Sequence, residues 1–170
     1  YGWLEGYDYG WTPNTTDRQH KRYRYGNQPN IGLWNLLQLA NAIYPLIEES
    51  EPLEAILNEY KTDFDERRLS MMRSKLGLQI EDEKDQSLIQ DLEDILHQTE
   101  TDMTIFFRNL SNFKKENPSE SLRVINDAFY KLDEVVGNIK KRWDVWFKNY
   151  GDRLKKETFS NEERKDEMNA

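Results

Sequence analysis

Apolar side chains recur at helical spacing through most of this 170-residue chain, and no stretch alternates apolar and polar residues as a half-buried strand does. The pattern predicts helices over about 30–47, 52–76, 84–98, 102–113, 118–137 and 139–150, with a short last helix after residue 160. We therefore predict an all-α fold, in which a bundle of about six helices follows an irregular N-terminal segment.

Residues that cap or break helices support these limits. We expect Pro45 to end or kink the first helix, because a proline inside a helix removes one hydrogen bond. Gly77 suits the C-terminal cap of the second helix. The predicted N-terminal caps are Thr101 for the fourth helix, a capping box of Asn117 and Glu120 for the fifth, and one of Ser160 and Glu163 for the last.

Residues 1–29 contain turn-forming clusters, "DYGW", "TPNTTD" and "YGNQPN", in place of a helical period. Asn14 or Asp17 can fold back on its own backbone. We predict that the aromatic side chains of this stretch hold it in an ordered, irregular conformation. Long ordered loops of this kind usually carry function. The predicted division is a leader over 1–29 and a helical domain over 30–170.

The charge distribution argues against two classes of partner. The net charge is −8; residues 1–30 carry +1, which leaves −9 on the remainder. An acidic body disfavours binding to nucleic acid or to an anionic membrane surface. No apolar run approaches the roughly 20 residues that a membrane span requires. With no cysteine and no signal-peptide pattern, we expect a cytoplasmic protein without disulfides.

The residues show no self-contained active site. His20 and His97 form no metal-ligand pair, and we expect both on the surface. The acidic run at 81–85 is typical of a solvated helix start. No phosphate-binding glycine loop and no nucleophile with a base at useful spacing is present. From the residues alone we expect no catalytic, cofactor-binding or metal site within the chain.

The stretch "RQHKRYRY" at residues 18–25 interleaves basic and aromatic residues. One reading is that it stacks on single-stranded nucleic acid. The other is that the arginine stems and cation–π contacts cover a neighbouring apolar surface. We favour packing, because the rest of the chain is acidic.

A family resemblance adds what the residues alone leave open. Residues 1–47 resemble the selenoprotein O family, also called the YdiU family, through an ordered set of motifs. The motifs are Tyr7-Asp8, Thr12-Pro13-Asn14, Thr16-Asp17, Arg24-Tyr25, Asn27-Gln28-Pro29, Trp34-Asn35-Leu36 and Leu39-Ala40. Further matches are Asp102, Thr104, Phe107, Arg108 and Leu110; the tryptophan spacing of Trp143 and Trp146 matches less closely.

The resemblance implies a kinase-like fold and transfer of AMP from ATP to Ser, Thr or Tyr hydroxyls of proteins, with Mg²⁺. The family's Asp-Tyr-Gly-Pro metal-binding motif would immediately precede Tyr1. The nucleotide and metal residues would thus lie in a kinase-like N-terminal lobe outside this chain, which alone would be inactive. The leader would correspond to an activation segment, with scaffolding by Gln28 and Trp34 and contacts to protein substrates near Arg22 and Arg24.

We expect the chain to belong to a longer protein, and its exposed apolar surface to favour self-association when that remainder is absent. One alternative is a stand-alone helical module that binds a protein partner through the aromatic leader. A weaker alternative is a single-strand nucleic-acid binder that uses "HKRYRY".

Overall fold

The computed structural model describes Leu4 and residues 6–13, 16–116 and 121–169. Seven α-helices lie within these ranges: α1 Gln28–Ile47, α2 Glu51–Lys75, α3 Asp85–Leu96, α4 Met103–Leu110, α5 Ser121–Ile125, α6 Gly137–Leu154 and α7 Asn161–Asn169. The described residues form no strands, only two isolated β-bridges. The predicted all-α class is therefore confirmed.

Contacts divide the chain into two compact units. The first unit contains residues 8–69, and the second contains residues 4–7 with residues 70–170. The boundary thus falls inside α2, after Leu69. These contacts do not test the predicted division at residue 29 into a leader and a helical domain.

In the first unit, a 3-10 turn at Tyr25–Asn27 leads directly into α1, which begins two residues earlier than predicted. The predicted end of the helix at residue 47, two residues after Pro45, is confirmed: α1 ends at Ile47, and its C-cap residue Glu48 has a φ of +59°. A proline this close to the end of a helix removes only one hydrogen bond, and its fixed φ is itself helical.

The core of the second unit is built on the apolar face of α6. Trp143, Trp146, Phe147 and Tyr150 on this helix are each no more than 1% exposed. Phe113 stacks against Phe147, with ring centroids 5.6 Å apart. The prediction that Trp143 and Trp146 are core residues is confirmed, and α6 is longer than predicted because Gly151 continues the helix.

The C-terminal end of α2 confirms the predicted role of Gly77. Its φ is +62°, in the left-handed region that glycine adopts without a steric penalty. The amide of Gly77 donates to the carbonyl of Ser74, and the amide of Leu78 donates to the carbonyl of Arg73. This pair of bonds is the Schellman motif, which satisfies the last carbonyls of a helix.

The predicted cap of α4 was wrong by one residue. Asp102 is the N-cap, and its carboxylate accepts the amide of Ile105 at 2.8 Å. Thr101 is fully buried instead, and its hydroxyl donates to the carbonyl of Thr99 at 3.0 Å. Thr101 also pairs with Phe129 in an isolated bridge, so its backbone cannot start the helix.

The predicted long fifth helix is also wrong. Helix α5 ends at Ile125, and 3-10 turns follow at Asn126–Ala128 and Leu132–Glu134. The backbone here bonds to a distant segment: Asp102 donates to the carbonyl of Ala128, and Tyr130 donates to that of Glu100. These bonds replace a helical continuation. The capping box predicted at Asn117 and Glu120 lies outside the described residues.

The capping box predicted for the last helix is confirmed. The amide of Glu163 donates to the hydroxyl oxygen of Ser160 at 3.2 Å, and the amide of Ser160 donates to the carboxylate of Glu163 at 2.8 Å. The bond from the Ser160 amide, and after it the bond that the Ser160 hydroxyl donates to the same carboxylate at 2.9 Å, lower the pKa of Glu163. The reciprocal arrangement fixes the start of α7 at Asn161.

Candidate functional site

Residues 16–24, which we call the basic loop, are organised around the carboxylate of Asp17. Its two oxygens accept the amide of Arg22 at 2.8 Å and the amide of His20 at 3.2 Å. The backbone bond from Arg22 is the main cause of a lowered pKa at Asp17. The predicted fold-back at Asp17 is therefore confirmed, whereas Asn14 lies outside the described residues.

The structure brings all four predicted site residues to the junction of the basic loop and α1. The guanidinium carbon of Arg22 lies 3.9 Å from the centroid of the Trp34 ring. The Gln28 side-chain amide donates to the carbonyl of Tyr23 at 2.7 Å and more weakly to that of Arg24 at 3.4 Å. Their predicted roles, scaffolding by Gln28 and Trp34 and contacts to protein substrates near Arg22 and Arg24, stay predictions.

The junction also supports the packing interpretation of "HKRYRY". A guanidinium over an indole face is a cation–π contact, worth about 0.5–1 kcal/mol where it is exposed. Arg22 thus covers one face of Trp34, which is itself 42% exposed. The side-chain amide of Asn27 donates to the carbonyl of Arg22 at 2.7 Å and holds the backbone beside this contact.

The segment before the basic loop is bonded to the segment after it. Tyr25 donates its amide to the carbonyl of Trp11 at 2.8 Å, and Gly26 donates to that of Tyr9 at 3.0 Å. The rings of Tyr9 and Tyr25 stack with centroids 6.3 Å apart. A Cβ at Gly26 would lie 2.9 Å from the Tyr9 ring, so the close approach requires glycine.

A second polar region lies in the second unit, between α3 and α6. A cavity of about 320 Å³ is lined by carboxylates of Asp82, Asp91 and Asp152 and by cationic side chains that include Lys84 and Lys156. Lys156 binds Asp82, and the neighbouring Lys155 binds Asp152 at 2.7 Å. Most of these charges are therefore satisfied within the protein.

Beside this cavity is a buried ion network that the sequence analysis missed. The Nε of Arg153 donates to Asp85 at 2.6 Å, and its Nη1 donates to Glu157 at 2.8 Å. Burial acts to lower the pKa of Arg153, but the bonds to the two carboxylates outweigh it and raise that pKa. Asp85, predicted to be solvated, is 1% exposed. Only the four-residue spacing of Arg153 and Glu157 was a sequence signal for this network.

Arg164 on α7 is a second buried guanidinium that the sequence did not suggest. It is 1% exposed and donates to the Tyr150 hydroxyl at 3.0 Å, to the carbonyl of Ser111 at 3.2 Å and to that of Phe113. These carbonyls follow the end of α4, where a positive charge is favoured by the helix dipole. The contacts indicate a structural role.

The described residues contain no group of three or more His, Asp or Glu side chains that could hold a metal ion. His20 and His97 are both exposed, as predicted. Within the same ranges, no helix is long and apolar enough to cross a bilayer. The main features of the described residues are therefore an ordered cationic loop, the apolar helix α1 and a core of aromatic side chains.

These features define an all-α chain with an ordered loop at its front, and sequence comparison assigns the family. A family model described as "Protein adenylyltransferase SelO" matches residues 1–170. The chain belongs to this family, which confirms the resemblance.

Curated relatives named "Protein nucleotidyltransferase YdiU" agree with the assignment. The Flavobacterium johnsoniae protein is 55% identical over 170 residues, which is 99% of this chain and 33% of the relative. The Aromatoleum aromaticum protein is 43% identical over all of this chain and 32% of its own length. The Rhodopirellula baltica protein is 44% identical over 91% of this chain and 30% of its own length. The chain thus spans about a third of the length of these relatives.

Proposed function

We propose that this chain forms the helical part of a protein adenylyltransferase that transfers AMP from ATP to hydroxyl groups of proteins. The observation that carries the proposal is the family match over residues 1–170. The names of the relatives state nucleotide transfer in general, so AMP as the transferred group rests on the description of the family. A cytoplasmic location and a kinase-like fold for the whole enzyme are part of the same proposal.

The proposed enzyme requires ATP and Mg²⁺, and the described residues do not fit a site for them. Binding a nucleotide with its metal calls for grouped carboxylates and unpaired phosphate-binding donors. The described residues offer no carboxylate group for a metal, and the cationic side chains of the α3–α6 cavity largely bind neighbouring acids. We therefore place the nucleotide and metal site in the part of the enzyme beyond these 170 residues, and assign this chain no catalytic residue.

Helix α1 supplies a physical argument for such a further part. Its 20 residues include no charged side chain, and Ile31 is its one buried residue. Large apolar side chains remain exposed along it, among them Leu39 at 57% and Leu46 at 86%. An uncharged helix of this kind is normally buried in a protein core, and exposed apolar patches usually mark interfaces. We propose that the remaining part of the enzyme covers α1, and that the 170-residue chain self-associates through the same face.

The test is isothermal titration of magnesium-ATP into the 170-residue chain and into the full-length protein that contains it. Circular dichroism on both samples would confirm that each is folded. We expect heat of binding from the full-length protein alone. A parallel assay with labelled ATP and labelled UTP would identify which nucleotide the full-length enzyme transfers to protein.

Binding by the 170-residue chain itself would contradict the placement of the site. Binding by neither protein would contradict the adenylyltransferase proposal and would favour the alternative, a helical module that binds a protein partner. In that alternative the aromatic leader would bind the partner, whereas the family match favours the enzyme.

A further inference from the structure

We propose that the basic loop binds acidic segments of protein substrates, so that the enzyme prefers hydroxyl groups with aspartate or glutamate nearby. This inference rests on the proposed function, because it names the substrate class for the same reaction. Charge, the order of the loop and the partly occupied aromatic faces beside it support the inference.

The charge of the basic loop favours an acidic partner. Residues 16–24 carry four basic side chains and one acidic one, in a protein whose net charge is −8. Asp17, the acidic one, accepts two backbone amides of the loop. Arg18 and Lys21 are exposed. The loop is therefore a local cationic surface on an acidic protein, and such a surface steers acidic partners towards itself.

The basic loop is ordered before any partner arrives. Lys21 has a φ of +46°, an uncommon conformation for a residue other than glycine. Its amide donates to the carbonyl of Asp17 at 3.0 Å, and Arg24 donates its own amide to the carbonyl of Lys21 at 3.0 Å. Backbone held in this way loses little conformational entropy on binding, which favours affinity.

The aromatic side chains beside the basic loop favour an acidic peptide over a nucleic acid. Single-stranded nucleic acid is bound chiefly by stacking its bases on open aromatic faces. Here Arg22 covers a face of Trp34, and the Tyr25 ring stacks on Tyr9. Stacking surfaces next to the loop are therefore partly occupied, while Arg18 and Lys21 are exposed residues, and among the described residues the Lys21 ammonium makes a single long bond of 3.3 Å to the carbonyl of Gly10. Carboxylates that pair with these two side chains fit the loop better than bases do.

The test compares two short synthetic peptides on the full-length protein. One has a central serine flanked by Asp and Glu, and the other has Asn and Gln at the same positions. We expect the acidic peptide to bind at least about fivefold more tightly, because each exposed ion pair contributes modestly and several act together. The preference should shrink as salt rises from 0.1 M to 1 M, where the screening length falls from about 10 Å to about 3 Å.

A charge-reversed variant places the effect in the loop. Arg18→Glu with Lys21→Glu should abolish the preference for the acidic peptide. The matched control is Lys61→Glu with Arg67→Glu, which changes the net charge equally at exposed positions on α2 and should keep the preference. Circular dichroism would check that both variants fold. Equal loss in both variants would overturn the inference, since bulk charge would then account for binding.

Two further outcomes separate this inference from the proposed function. If the enzyme binds the two peptides equally and transfers AMP to them equally well, the inference is overturned and the enzyme assignment stays intact. Transfer to neither peptide nor any protein would count against the enzyme assignment, and the binding comparison would still decide the inference. Tighter binding of an oligothymidine strand than of the acidic peptide would overturn it in favour of nucleic acid.

Discussion

The buried phenol of Tyr150 should make the second unit sensitive to alkaline pH. Its hydroxyl donates to the carbonyl of Leu76 at 2.8 Å and accepts from Arg164 at 3.0 Å. Burial raises the pKa of Tyr150 to about 12, against an effect of Arg164 that lowers it. The folded protein therefore keeps this proton at a pH where the unfolded chain, with a tyrosine pKa near 10, releases it.

The sign and size of the effect follow from proton linkage. The contribution of this group to stability is complete below pH 10 and is lost as the pH rises towards 12. The loss is about 1.4 kcal/mol at pH 11 and approaches about 2.7 kcal/mol above pH 12. Tyr150→Phe removes this dependence. The substitution also costs about 1–3 kcal/mol at neutral pH, because the Leu76 carbonyl and one Arg164 donor lose their partner.

Urea unfolding at about pH 8 and pH 11 measures both effects. Fluorescence of Trp143 and Trp146 reports on the same core, because the Trp146 and Tyr150 rings stack with centroids 5.0 Å apart. The control is Tyr44→Phe, at a tyrosine that is 47% exposed. Lysine titration affects all samples alike, so the comparison isolates Tyr150. If the Tyr150→Phe variant loses as much stability between the two pH values as the unchanged protein does, the reasoning is refuted.

Three more perturbations test other parts of the structure. Asp85→Asn and Arg153→Met should each cost about 3 kcal/mol of unfolding free energy, and the double variant less than the sum; additive costs in a double-mutant cycle would contradict a coupled pair. Leu39→Glu with Leu46→Glu should make the 170-residue chain monomeric in sedimentation, whereas unchanged association would exclude the α1 face as its cause. Because the pKa of Asp17 is lowered, its bonds to the loop amides should persist above its ordinary pKa near 3.8 and fail as the pH falls through the lowered value. In Asp17→Asn, hydrogen exchange should show a loss of protection at the amides of His20 and Arg22 already at neutral pH. Full protection of these two amides in the variant would refute the prediction.

The parts of the fold that the sequence predicts best are those fixed by neighbours in the chain. The capping box of Ser160 and Glu163 spans three residues, and its bonds appear as expected. Gly77 closes α2 through bonds to residues three to five positions away. Both signals depend on local geometry, in which a side chain or a left-handed backbone satisfies the groups at a helix end.

The parts that the sequence did not predict depend on contacts between distant residues. Asp85 and Arg153 are separated by 68 positions, so an acidic run that is typical of a solvated helix start includes a buried carboxylate. The predicted fifth helix fails for the same kind of reason. Residues around Phe129 have a helical pattern, but their backbone bonds to residues 100–102. Propensity is a weak prior that tertiary contacts override.

The candidate site combines features that the sequence predicts with contacts that it does not. It also connects the proposed enzyme function with the proposed binding of acidic substrates. The resemblance predicted Arg22 and Trp34, and the interleaved basic and aromatic residues led us to favour cation–π packing, but nothing in the sequence identified Trp34 as the ring on which Arg22 lies. Through this stack and the bonds of Gln28, the basic loop is held on the first two turns of α1. The rest of α1 is uncharged and largely exposed. If the remainder of the enzyme covers that helix, as we propose, it also determines where the basic loop stands relative to the bound nucleotide. Helix α1 would then connect substrate recognition to the proposed site of nucleotide transfer, and substitutions such as Trp34→Ala should weaken the acidic-peptide preference while leaving nucleotide binding unchanged.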